Sequence, residues 1–327
     1  MEANIEIAQS LFTKNKYQET IDICNKIIST KSNSIDALKL IAKSYLATGK
    51  IDDARLYFNK ALTLKTDDFE LIKDLGNTYQ AVGDFNTAKK YYQKAIAINS
   101  SFAPALTNLG SIELNTGNKQ NALPLLIKAT ESDPQLAPAW VNLTNGYLQL
   151  GKIQDAEIAC RKSIDLNPHL FNSHFLLGSI LMGQKKLQEA ELSTRQAIKL
   201  NPNVFNSHFL LGSILIGQKK LQEAEEPLRK TIELKPDFFQ AHLNLGDILK
   251  DLGRAKEAEI STRQAIKLNP NVFNSHFLLG SILIGQKKLQ ESEISLRKAI
   301  ELNPNFFNSH FLLATILIGQ KKLQEAE

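Results

Sequence analysis

The stretch Ser193–Glu225, STRQAIKLNPNVFNSHFLLGSILIGQKKLQEAE, returns as Ser261–Glu293 with one change, Ser292 in place of Ala224. The two copies start 68 residues apart, twice 34. The shorter phrase FNSHFLLGSI begins at Phe171, Phe205 and Phe273, and FNSHFLLATI begins at Phe307. A period of 34 residues predicts a stacked array in which each unit contacts mainly its neighbours. Such an array offers a long surface to a partner and seldom a pocket for chemistry.

Counted from Met1, nine full repeats start at residues 1, 35, 69, 103, 137, 171, 205, 239 and 273, and an incomplete tenth runs from 307 to 327. The seventh position is aliphatic throughout, from Ile7 and Ile41 to Leu279 and Leu313. Positions eight, twenty and twenty-seven are small in most repeats, as Gly178, Ala190 and Ala197 show for the sixth. Apolar residues at helical spacing, such as Leu177, Leu181 and Leu187, predict two helices per unit. Small residues let the two backbones approach closely. Gly49, Gly83, Gly117, Gly151 and Gly253 mark the turn between helices, and a proline such as Pro168 or Pro202 closes six of the units. No stretch alternates as a strand would, so the expected fold is all-α, a single domain over residues 1–327. Pro124 and Pro227 fall inside second helices, where each is expected to kink or loosen a turn at ~3 kcal/mol.

The pattern resembles the tetratricopeptide repeat, most closely at Trp140, Leu143, Tyr147, Gly151, Ala156 and Pro168 of the fifth repeat. The resemblance implies a right-handed superhelical solenoid of antiparallel helix pairs. The first repeat departs from the pattern at Thr20, Cys24, Ile27 and Ser32, and reads as a divergent cap.

A net charge of +5 is weak for 327 residues. No apolar run reaches the ~20 residues that span a bilayer. The opening MEANIEIAQS lacks a basic segment before an apolar core, so the expectation is a cytoplasmic protein without a membrane partner. Lysine pairs at the helix turns (Lys185-Lys186, Lys219-Lys220, Lys287-Lys288, Lys321-Lys322) form a basic edge. Glu189, Glu191, Glu223 and Glu225, one turn later, are expected to balance it in part. An anionic partner is the sharper alternative, and nucleic acid is not expected, because no aromatic residues are interleaved for base stacking.

Cys24 and Cys160 both hold position twenty-four, four repeats apart, and read as core residues with no disulfide between them. His174, His208, His242, His276 and His310 recur at position four. Neighbouring repeats lie ~8–10 Å apart, too far for two imidazoles to share a metal at ~2 Å. They are expected to fill the seam between helices with one ring nitrogen bonded. There is no CxxC, phosphate-binding glycine loop or nucleophile elbow, so no metal, cofactor or enzyme activity is expected.

The resemblance further implies that first helices line a concave groove through positions two, five, six, nine and twelve. In repeats three to five these are Lys73, Asp74, Asn77, Asn108, Ser111, Asn142 and Asn145, a lining rich in amides. Lys73, Asn77 and Asn108 match half of the carboxylate clamp of co-chaperone tetratricopeptide domains, but Pro138 and Asn142 stand where further basic residues belong. Asn108, Asn142 and Asn244 are similar to the asparagine ladder of O-linked N-acetylglucosamine transferases, interrupted here by Leu176, Leu210, Leu278 and Leu312. Later repeats place Asn172, Asn206 and Asn274 at position two, Phe175, Phe209, Phe277 and Phe311 at position five, and Ser179, Ser213 and Thr315 at position nine. The spacing leaves open whether these phenylalanines form an exposed stripe or pack between first helices.

The leading expectation is a non-catalytic scaffold that holds a protein partner, as an extended peptide or helix, in the groove. A second reading makes the chain the recognition arm of a transferase, since bacterial proteins of similar repeats join them to glycosyl-, sulfo- or methyltransferase domains. A third is self-association through the last repeat, where Leu313, Leu317 and Leu323 are expected to form a bare apolar flank.

Overall fold

The computed structural model describes residues 2–319. It divides into two compact units, Met1–Pro168 and His169–Glu327. In the first unit the helices are α1 (Glu2–Thr13), α2 (Tyr17–Thr30), α3 (Ile35–Ala47), α4 (Ile51–Leu64), α5 (Phe69–Ala81), α6 (Phe85–Ile98), α7 (Ala103–Asn115), α8 (Lys119–Ser132), α9 (Ala137–Gln149) and α10 (Ile153–Leu166). The second holds α11 (Phe171–Gly183), α12 (Leu187–Leu200), α13 (Phe205–Gly217), α14 (Leu221–Leu234), α15 (Phe239–Asp251), α16 (Ala255–Leu268), α17 (Phe273–Gly285), α18 (Leu289–Leu302) and α19 (Phe307–Gly319). No strand occurs among the described residues. The expected all-α array of helix pairs is what forms. Residues 320–327, which include Lys321, Lys322 and Leu323, lie outside the described residues.

Each pair closes where position eight of the first helix meets position twenty-four of the second. A methyl group added at Gly76 would stand 2.6 Å from Tyr92, at Gly110 2.7 Å from Leu126, and at Gly212 2.9 Å from Leu228. These separations are shorter than any carbon contact, so the glycine is replaced in volume by its partner's side chain. Tyr92, Leu126 and Leu228 are fully buried as a result. The pairs then join into a core that runs across repeats: Leu211, Leu228, Leu249 and Ile282 belong to one cluster spanning three of them. Thr20, Cys24 and Ile27 are likewise buried in the divergent first repeat. Cys24 and Cys160 are both buried, and burial pushes the Cys24 thiol up to about 11.

Contacts between repeats follow a fixed register. Trp140 donates its indole N–H to the Pro134 carbonyl at 3.0 Å. His208, His242, His276 and His310 place Nε2 against the carbonyls of Pro202, Pro236, Pro270 and Pro304 at 2.7–2.9 Å. Because the carbonyl accepts, each Nε2 carries the proton. The expected seam role of these histidines therefore has a stated partner, the closing proline of the preceding repeat.

The basic residues at the turns reach glutamates of the neighbouring repeat, Glu191 and Glu225 among them. Lys220 bonds Glu191 at 3.0 Å, Arg254 bonds Glu225 at 2.5 Å and Lys288 bonds Glu259 at 2.8 Å. Each of these carboxylates comes from the preceding repeat, and Arg254 also bonds Glu257 of its own helix at 2.6 Å. The same glutamates accept from Arg195, Arg229 and Arg263 four residues on, so the ion pairs form a network along the second helices. Lys185, Lys219 and Lys287 hold φ near +61° and Asn15 holds +60°, where the second to fifth and the eighth repeats carry glycine at φ between +70° and +84°. A left-handed non-glycine residue costs ~1–2 kcal/mol, an expense that the sequence pattern of glycines did not foretell.

α8 and α14 each continue past their internal prolines, Pro124 and Pro227. Each proline removes a single backbone donor, and Pro227 is itself buried in the pair it belongs to. Leu313 and Leu317 are buried with Leu296 and Ile316, so neither forms a bare flank.

The close approach of α15 and α16 can be tested. A methyl at Gly246 would meet the Thr262 hydroxyl and sit 3.3 Å from the Ala258 carbonyl oxygen, and that hydroxyl is already fixed to the same carbonyl at 2.8 Å. Gly246→Ala is expected to lose ~1–3 kcal/mol by overpacking, more than the ~1 kcal/mol that alanine gains in a helix. Adding Thr262→Ala should recover most of the loss, measured as the midpoint of urea unfolding.

Candidate functional site: the groove lined by first helices

In the first unit the expected groove residues are brought together, and they bond mainly to one another. Asp74, at 4% exposure, is gripped by Lys73 and has Lys43 at 3.6 Å from its Oδ2. Asn77 donates to Asp74 Oδ1 at 3.4 Å and accepts from Asn108 at 2.8 Å. The Tyr92 hydroxyl lies 2.8 Å from Asn77 Oδ1 and 2.6 Å from Gln80 Oε1, and its one proton serves one of them. Burial of that hydroxyl drives its pKa upward, so it stays a neutral donor. The half-clamp of Lys73, Asn77 and Asn108 is thus an internal network joining the third and fourth repeats. Asn142 and Asn145 are half-buried on α9.

In the second unit the phenylalanines lie between the two alternatives that the spacing left open. Phe209 meets Phe238 edge-on at 4.9 Å, and Phe277 meets Phe306 likewise at 5.0 Å. Phe205 and Phe273 join the same rings at 5.2 and 5.0 Å. Position five therefore packs against the last residue of its own repeat, a partner that sequence reasoning missed. Phe175 stacks on Phe171 at 6.1 Å. Asn172, Asn206 and Asn274 are exposed. Ser213 and Thr315 turn back to bond the carbonyls of Phe209 and Phe311, so these hydroxyls serve their own helices first.

Between α15 and α17 the lining opens into a cavity of about 290 Å³. Its walls are Leu243, Phe277, Leu278 and Phe306 on the apolar side, with Asn244, Asp247, Lys250 and Asn274 on the polar side. Seven of these eight stand at groove positions two, five, six, nine or twelve, and Phe306 is the ring that seats Phe277. Lys250 donates to Asp247 at 2.9 Å and lies 3.3 Å from Asp251. Burial opposes its charge, but the two carboxylates outweigh this and hold its pKa above the ordinary lysine value. Arranged this way, the cavity can take an apolar side chain while two amides bond a polar backbone. No group of His, Cys, Asp and Glu among the described residues is placed to hold a metal ion.

A model described as the cilia and flagella-associated protein 70 C-terminal domain matches residues 68–271. Tetratricopeptide repeat models match residues 35–68, 273–306 and 295–327. The chain belongs to the family of the cilia and flagella-associated protein 70 C-terminal domain, a family of tetratricopeptide repeats. No curated protein sequence matches it. Solved structures of similar fold include YrrB, described as a tetratricopeptide repeat protein with an unusual peptide-binding site, at 18% identity and a TM-score of 0.52 over 56% of this chain and 95% of that one. A second is the Cut9–Hcn1 hetero-tetramer of APC/C, at 18% identity and 0.58 over 92% of this chain, which spans 59% of the matched one. A third is PilF of Pseudomonas aeruginosa, at 21% identity and 0.58 over 65% of this chain and 97% of that one. At these identities the likeness is one of fold. Tetratricopeptide repeats are interaction scaffolds, and among the described residues no helix is long and apolar enough to cross a membrane.

The internal network of the first unit predicts a structural role for its central asparagine. Asn77→Ala should cost ~1–2 kcal/mol, because the Asn108 amide loses its acceptor in a half-buried site. Asn145→Ala, in the next first helix but one, should change stability by less than ~0.5 kcal/mol. Urea unfolding of the two variants compares them directly.

Proposed function

We propose that this protein is a non-catalytic scaffold that binds an extended peptide in the groove of its second unit. The observation that carries the reading is the cavity between α15 and α17, where Asn244, Asn274 and Phe277 converge beside Leu243 and Leu278. A peptide strand needs donors and acceptors for its backbone and a dry site for alternate side chains. The asparagine amides supply both hydrogen-bonding roles, and the leucine and phenylalanine walls supply the dry site. Burying ~100 Å² of apolar side chain there contributes about 2.5 kcal/mol. A partner helix would present a broader face than a cavity of about 290 Å³ accepts, which favours an extended ligand. The first unit contributes less, because Asp74 already engages Lys73 and Asn77, and Asn77 engages Asn108. The description of YrrB as having a peptide-binding site supports this use of the fold. The ligand is taken to be protein, in the cytoplasm, with neither nucleic acid nor membrane involved.

Panning a library of random short peptides against the full chain tests the proposal. Selected peptides should bind saturably, and Asn244→Ala with Asn274→Ala should weaken them about tenfold without changing the far-ultraviolet circular dichroism. Peptides that bind equally well to the double variant would contradict it.

A further inference from the structure

Within the second unit, one first helix differs from its neighbours only in a patterned way. α13 and α17 share the sequence FNSHFLLGSILIG, whereas α15 reads FQAHLNLGDILKD. The residues that build the helix pair are unchanged: His242, Leu245, Gly246, Ile248 and Leu249 repeat His208, Leu211, Gly212, Ile214 and Leu215, and all are buried. The changes fall on groove positions two, five, six, nine and twelve, with two more at positions three and thirteen. Here the packing face is kept, and the face lining the cavity is rewritten.

The rewriting changes charge. Asp247 stands where Ser213 and Ser281 stand in the flanking repeats, Lys250 replaces Ile216 and Ile284, and Asp251 replaces Gly217 and Gly285. Lys250 is engaged by both aspartates, at 2.9 and 3.3 Å, which leaves one negative charge in excess at the cavity mouth. Both carboxylates remain half exposed, at 54% and 50%, and so are open to a ligand. At the floor, Leu243 replaces a bulky phenylalanine beside Phe277 and Leu278, which makes room for a side chain from outside.

We infer that the eighth repeat is the selective element of the groove: its cavity receives one apolar side chain of the peptide, and Asp247 with Asp251 takes a lysine or arginine close to it in the same peptide. The inference rests on the groove reading and names the class of ligand, a peptide that is apolar and basic at neighbouring positions. An exposed pair of charges contributes little affinity, about two- to fivefold, but charge of the wrong sign is disfavoured by a similar factor. Such a pair acts on choice of partner more than on strength.

The same library, panned on the full chain, tests this. Enriched peptides are expected to carry Leu, Ile, Met or Phe near a Lys or Arg. Replacing that base with alanine should weaken binding about threefold on the native chain, and raising the salt should shrink the difference. The variant Asp247→Ser with Lys250→Ile and Asp251→Gly introduces residues that the seventh and ninth repeats already carry and leaves the site neutral, so it should fold, and it should bind both peptides alike. Enrichment of acidic residues, or an unchanged preference for the base in that variant, overturns the inference and leaves groove binding intact. Absence of any saturable peptide overturns both.

Discussion

Two helices of each repeat approach so closely that, in several repeats, only glycine fits at one of the contact points. Gly212 admits Leu228, Gly110 admits Leu126 and Gly76 admits Tyr92, each at a distance that a single added carbon would violate. This constraint spaces the repeats and orients the first helices. It fixes which residues face the next repeat and which face the groove. The large residue at position twenty-four then buries fully, as Tyr92, Leu126 and Leu228 do. Each such side chain stabilises its pair by roughly 1.5–3 kcal/mol.

Polar contacts set the register between pairs without using the groove face of the second unit. The ring nitrogen of His208 or His242 holds the closing proline of the preceding repeat, and Lys220, Arg254 and Lys288 reach back to glutamates one repeat earlier. These interactions lie on the seam and on the second helices. Asn244, Asn274 and the cavity beside them therefore remain available, held on helices whose other faces are locked. In the first unit the polar residues of the groove are themselves the inter-repeat contact, through Asn77, Asn108 and Tyr92. The groove face thus serves cohesion in the first unit, and in the second it is left for the proposed recognition.

Much of this was legible in the sequence, for reasons tied to particular residues. The 34-residue period, the small residues at position eight and the glycines of the turns fix helix pairs by local sterics, which sequence expresses directly. The seam role of the histidines followed from their recurrence at position four. Other features depend on distances between side chains in different repeats, and no linear pattern records those. Spacing alone did not show that Asp74 holds Lys73 and Asn77 while Asn77 holds Asn108, nor that Lys220 chooses Glu191 over a glutamate in its own helix. The left-handed lysines were hidden for a different reason: Lys219 takes a conformation that its side chain disfavours, and composition gives no sign of it. Position five was ambiguous because Phe238 and Phe306, which cover it in part, lie at the far end of the repeat. The cavity itself became visible only when α15 and α17 were placed side by side.

The central claim is that ligand recognition sits at the eighth repeat, and leucine methyl spectra test it most directly. The full chain, labelled at leucine methyl groups, would be titrated with a peptide selected on it. The account predicts that Leu243 and Leu278, which wall the cavity, shift together at saturation, while Leu192, exposed on α12, stays in place. Shifts at Leu192 or in the first unit, with Leu243 and Leu278 unmoved, would contradict it.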